Sequence, residues 1–129
     1  MDGFDTSFFF AFKAGQDRAV NRYQQIVDGG RDGAASTVTV YELLRHGYQG
    51  RLDRTFAEDA AQSIGVAFRR AGTDEYSVSR RAARITHGMG LPMADALIAA
   101  SLEHVGCDTL YTSDSDFAAY EGAMEIAFL

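Results

Sequence analysis

Five acidic side chains stand where a sheet protein could gather them: Asp5, Glu42, Asp95, Asp114 and Asp116. Asp5 ends a short apolar strand-like piece, Asp114 and Asp116 follow the β-prone Thr109-Leu110-Tyr111-Thr112, and Glu42 and Asp95 fall early in segments of helical period. In open α/β sheets ligands collect outside the carboxyl ends of the strands. Several carboxylates in one crevice repel one another, an arrangement tolerated chiefly where hard divalent cations bind, so Mg²⁺ or Mn²⁺ is the implied ligand. Asp95 is the most telling of the five. At ~100° per residue it lies ~60° from the centre of the apolar stripe Leu91, Ala94, Ile98, Leu102 and Val105, a costly border address for a carboxylate unless something positive compensates it. Plainer roles are open to the others. Thr39-Val40-Tyr41-Glu42 fits the T-x-x-E capping box, and Asp5 and Asp114 both suit the N-cap of a following helix.

The elements that must position these acids can be read from pattern and punctuation. Residues 3–12 pass from strand to helix, and residues 16–27 form a helix stopped at Gly29-Gly30. A strand is expected at 35–38, then a helix at 41–46 closed by Gly47 and another over 55–66. After Gly72-Thr73-Asp74 comes a helix over 78–86, ended by Gly88 and Gly90; Pro92 then opens a helix running to about Val105. A strand at 109–112, a short helix at 116–120 and a last strand at 124–129 complete the chain. Strands alternating with helices imply an α/β fold with an open, mostly parallel sheet.

Composition narrows the function classes. With 129 residues, 47% hydrophobic, the chain has the size of one domain, 1–129, and can bury roughly 70% of its unfolded surface. Its single cysteine, Cys107, excludes an internal disulfide and a four-cysteine zinc site, and points to a reducing compartment. The opening Met1-Asp2-Gly3-Phe4-Asp5 has acids where a secretory leader needs positive charge, and the run from Phe8 to Phe12 is far short of a membrane span. A cytoplasmic protein without membrane attachment is expected. A net charge of −6 argues against a broad basic face for nucleic acid. Setting aside the five acids leaves −1, so local arginines could still steer a polyanion.

At these residues the sequence resembles the PIN-domain family, and within it the VapC-like toxin ribonucleases of toxin–antitoxin pairs. Phe4-Asp5-Thr6-Ser7 looks like the family's opening motif, and Ser36 through Leu44 like its second acidic motif. Leu91 through Ala100 and Leu110 through Phe117 resemble the third and fourth, in order and spacing. The likeness spans nearly the whole chain. Two departures stand out: Ser7 occupies a position where many relatives have Asn, and residues 57–84 match only in helical character.

The resemblance implies a PIN-like three-layer α/β/α fold and a metal-dependent endoribonuclease. Asp5, Glu42, Asp95 and Asp114 carry over as the catalytic acids, with Asp5, Asp95, Asp114 and Asp116 as metal ligands and Thr6, Ser7 and Thr112 as supporting hydroxyls. A cation held there would activate water and polarise the phosphoryl group; a second, near Asp116 and Glu42, would stabilise the leaving 3′ oxygen and leave a 5′-phosphate. Arg45, Arg80 and Arg84 are candidate RNA contacts, with Arg81 and Arg69-Arg70 close by in sequence. The likeness further implies a homodimer and a cognate antitoxin docking beside the site, with Phe8-Phe9-Phe10 and Phe12 either interface or core. A housekeeping RNA-processing nuclease and a non-catalytic binding module are the alternatives. A phosphate-receiver domain is disfavoured because the only lysine is Lys13, and a serine or cysteine hydrolase because G-x-S-x-G is missing and Cys107 with His104 lacks a second motif.

Overall fold

A computed structural model describes the chain from Met1 to Leu129. It begins with β1 (Asp2–Phe4), α1 (Thr6–Lys13), α2 (Asp17–Val27), β2 (Gly33–Ser36), α3 (Thr37–Tyr48) and α4 (Arg54–Ser63). β3 (Arg69–Ala71), α5 (Tyr76–Met89), α6 (Met93–His104) and β4 (Thr109–Thr112) follow, then a 3₁₀ turn at Ser115–Ala119 and β5 (Glu125–Phe128). The five strands pair in the order β3-β2-β1-β4-β5, every neighbour parallel. Parallel pairing requires long crossovers, which the helices supply.

Successive strand residues face opposite sides of the sheet, and the core divides accordingly. Ala34, Ala71 and Leu110 join α5 and α6 in one apolar cluster. Phe4, Ala35 and Tyr111 join Phe8, Phe9, Leu43 and the alanines of α4 in the other. Helices thus cover both faces, giving the three layers of a PIN-like α/β/α fold. Phe4 is in register with Ala35 on one side and Tyr111 on the other, so Asp5 leaves the sheet between Ser36 and Thr112.

Several expectations are corrected. The second strand lies at Gly33–Ser36, two residues earlier than 35–38, because the Ser36 hydroxyl accepts the Val38 N–H and starts α3 there. α3 also runs through Gly47, which marks a close approach of helices and not a stop: a Cβ there would sit 2.8 Å from that of Ala57. The helix read at 55–66 ends at Ser63, and the edge strand β3 went unread because two exposed arginines and one alanine carry no apolar alternation. Phe8 and Phe9 are fully buried in the core, and half-buried Phe10 and Phe12 pack against the same cluster.

Candidate metal centre

Asp5 is held at the end of β1 by a closed set of donors. It caps α1, its Oδ1 accepting the Phe8 N–H at 3.1 Å and the Ser7 hydroxyl at 2.7 Å, while its Oδ2 accepts the Thr112 hydroxyl at 2.6 Å. Thr112 Oγ1 in turn accepts the Asp114 N–H, and Ser7 Oγ accepts the Ser113 N–H. The loop after β4 is thereby tied to the end of β1. Burial pushes the Asp5 carboxyl up to about 6, the three hydrogen bonds pull the other way, and Asp114 adds repulsion. Asp5 is thus the N-cap of α1 and lies close enough to Asp114 to feel its charge.

Glu42 reaches the crevice from α3. Thr6 donates to its Oε1 at 2.6 Å, Thr39 lies 3.2 Å from the Thr6 hydroxyl, and Arg45 stands 3.9 Å from Oε2. The T-x-x-E capping box is not formed. Ser36 caps the helix, and Thr39 lies inside its first turn, buried towards Thr6.

Asp95 in the first turn of α6 meets Asp114 and Asp116, each offering an oxygen within 4.8 Å of the others. Burial, then Asp114, Asp5, Asp116 and Glu42, all push the Asp95 carboxyl up, to about 7. No donor or cation offsets them, and the five acids identified in the sequence therefore converge. Asp114 also caps the 3₁₀ turn, its Oδ1 accepting the Asp116 N–H at 2.9 Å. Clustered all-oxygen donors with no cation of the chain among them fit a hard divalent ion. Asp5 lies outside the group of three, its oxygens already bonded to protein donors.

The remaining candidates separate. Arg45 is at the crevice, whereas Arg80 and Arg84 are exposed on α5 and form no ion pair. Arg81 is turned inward, its Nε donating to Glu103 at 2.8 Å while Tyr120 donates to the same carboxylate. Arg69 and Arg70 lie on the edge strand β3, and Arg70 donates to the Ile64 carbonyl. Cys107 is buried, its thiol pushed up to about 11 by burial, which leaves no nucleophile there. Two further residues stand near the site: Thr39, which the capping-box pattern hides, and Tyr41, an aromatic one residue before Glu42 that is 63% exposed.

Comparisons with known proteins bear on this arrangement. A family model described as PIN domain matches residues 4–123. No curated protein matches by sequence. Among solved structures, the chain is similar to FitAcB from Neisseria gonorrhoeae, at 25% identity and TM-score 0.64, covering 98% of this chain and 96% of that one. DNA-bound VapBC from Salmonella typhimurium is similar at 14% identity and TM-score 0.74, covering 98% and 96%. VapBC-5 from Mycobacterium tuberculosis, a member of the VapBC family of toxin–antitoxin systems, is similar at 22% identity and TM-score 0.64, covering 99% and 96%.

Proposed function

Since this chain belongs to the PIN-domain family, we propose that it is a metal-dependent endoribonuclease, the toxin of a toxin–antitoxin pair, acting in the cytoplasm as a homodimer of one-domain chains. The observation that carries this reading is Asp95, a half-buried carboxylate facing four others with no compensating cation of its own. Such a cluster is costly in a folded protein unless its purpose is to bind positive charge.

Asp95, Asp114 and Asp116 would hold Mg²⁺ or Mn²⁺, which supplies activation of water for attack on phosphorus and neutralisation of phosphoryl charge. Asp5 keeps the ends of β1 and β4 in register through Thr112 and Ser7, and contributes negative charge beside Asp114. Thr6 fixes one oxygen of Glu42 and leaves the other towards Arg45, whose guanidinium suits a phosphate of the RNA strand. Hydrolysis joins the water oxygen to phosphorus and releases the 3′ oxygen with a proton, leaving a 5′-phosphate and a 3′-hydroxyl. Partnership with an antitoxin is supported by the fold shared over nearly the full chain with VapBC-5, a member of the VapBC family of toxin–antitoxin systems.

The test is incubation of the purified protein, and of Asp95→Asn, with total cellular RNA in Mn²⁺ and in chelator, mapping new 5′-phosphate ends. Discrete ends are expected from the wild type with metal alone. Equal cleavage by Asp95→Asn, or cleavage that persists in chelator, would overturn the assignment.

A further inference from the structure

Beside the carboxylates, between α3 and α6, lies a cleft of about 450 Å³, within the range of ligand sites. Half-buried Val38, Ala94 and Leu97 form its apolar base, and exposed Tyr41 and Met93 stand at its edge. The cleft is continuous with the acidic centre, because Glu42 lines it and Ala94 immediately precedes Asp95. It also has one cation. Arg45 lines it, lies over the Tyr41 ring at 5.7 Å, and keeps a buried Nε–H with no hydrogen-bond partner.

We infer that this cleft is a nucleobase subsite, which takes one unpaired base of the RNA strand next to the scissile phosphate. The inference rests on the ribonuclease reading above and adds where substrate choice is made. An apolar base, an exposed tyrosine ring and a thioether suit the face of a nucleobase, as do the stacking platforms of single-strand binders. Polar groups at the cleft suit its edge: Thr73 offers a hydroxyl, and Arg45 a fork of donors. Charge favours the same occupant. The adjoining phosphate would meet Arg45 on one side and the cation-binding acids on the other, a pairing that a neutral apolar peptide would leave unused. Position completes the case: a base seated here is adjacent to the carboxylates, so its fit controls which linkage is presented to them.

The test uses a randomised single-stranded RNA 20-mer and variants at Tyr41, whose exposure makes Tyr41→Ala compatible with folding. Cleavage by wild type, Tyr41→Ala and Tyr41→Phe is sequenced for base preference around the cut, and binding of the same RNA is measured with each change placed on Asp95→Asn. Loss of one stacked base corresponds to roughly a tenfold rise in KM and Kd, with kcat little changed. The expected result is that rise for Tyr41→Ala, flattened preference at one position next to the cut, and recovery of both by Tyr41→Phe. Unchanged KM, Kd and base preference in Tyr41→Ala would overturn the subsite and leave the cleft to a protein segment. If the wild type binds RNA through Tyr41 but never cleaves it, the nuclease reading fails and the subsite stands; if no RNA binds, both fail.

Discussion

On the proposed reading Asp95 carries two separable effects, charge that would bind a cation and cost to the metal-free fold. Asn keeps its shape and removes the charge, so activity should fall by at least about a hundredfold, read as the initial rate of RNA cleavage in Mn²⁺. Stability should move the other way. A carboxyl whose folded value, about 7, lies above its unfolded one favours the fold fully below pH ~4 and loses that contribution as pH rises through 7. In chelator, Asp95→Asn should therefore match the wild type near pH 4 and exceed it at pH 8 by on the order of 1–2 kcal/mol, a figure reduced for the side chain's partial exposure. Denaturant titrations at the two pH values check this; equal stability at pH 8 would remove the argument that Asp95 is uncompensated. Thr112 makes a different prediction. Thr112→Val takes a donor from Asp5, which is only 2% exposed, and an acceptor from the Asp114 N–H. It should cost about 2–3 kcal/mol and move the Asp5 titration upward, since the lost bond is one that favours the charged form. Thr112→Ser, which keeps both bonds, should restore the wild-type pH profile of cleavage.

Helix α3 delivers Glu42, and its position is set by contact with α4 through Gly47, where a Cβ would lie 2.8 Å from the Ala57 Cβ. Gly47→Ala should destabilise by about 1–3 kcal/mol despite alanine's better helix propensity, and Ala57→Gly in the same chain should recover part of it. Urea unfolding of the two single variants and the double variant measures the coupling, and additivity would show that the helices do not meet there. The same glycine explains what the sequence could and could not disclose. A glycine after a helical run reads as a stop, because the signal for a close helix crossing is the small partner 10 residues away and invisible locally. Strand β3 was hidden for a related reason: its pairing is fixed by β2 alongside, not by its own Arg-Arg-Ala pattern. α2 and α6 were legible because Gly29-Gly30 and Pro92 mark where one stops and the other starts, and β4 because its β-prone residues halt at Ser113-Asp114. Asp5, Asp95, Asp114 and Asp116 were legible because each follows a strand or falls in a first turn, whereas Glu42 sits at the sixth residue of α3. Glu42's support was not legible, since Thr6 and Thr39 meet only when α1 and α3 pack together.

Across the whole molecule charge is sorted between the two ends of the sheet. At the amino ends of the strands Asp2 is 4% exposed but answered by Arg31, whose Nε and Nη2 both donate to it, and by Arg22 at 3.5 Å. That end is neutralised internally. At the carboxyl ends, Asp5, Asp95, Asp114, Asp116 and Glu42 repel one another with only Arg45 at the margin. A bare fold with its repulsion concentrated at one end should be stabilised by a divalent ion through mass action, by about 2.7 kcal/mol once the ion stands at a hundred times its Kd. The gain must depend on pH, because an ion binds the carboxylates and not the acids. With Asp5 near 6 and Asp95 near 7, protons compete below that window, so the Tm increment in Mn²⁺ should be several degrees at pH 8 and close to nothing at pH 5. Sodium chloride at matched ionic strength separates site binding from general screening of exposed charge, which it would reproduce. Asp95→Asn should lose most of the increment at pH 8, whereas a variant of the opposite end, Arg31→Gln, should lower the baseline Tm and keep the increment intact. A Mn²⁺ increment that is independent of pH, or equal in Asp95→Asn, would place the cation somewhere other than between β1, β4 and α6.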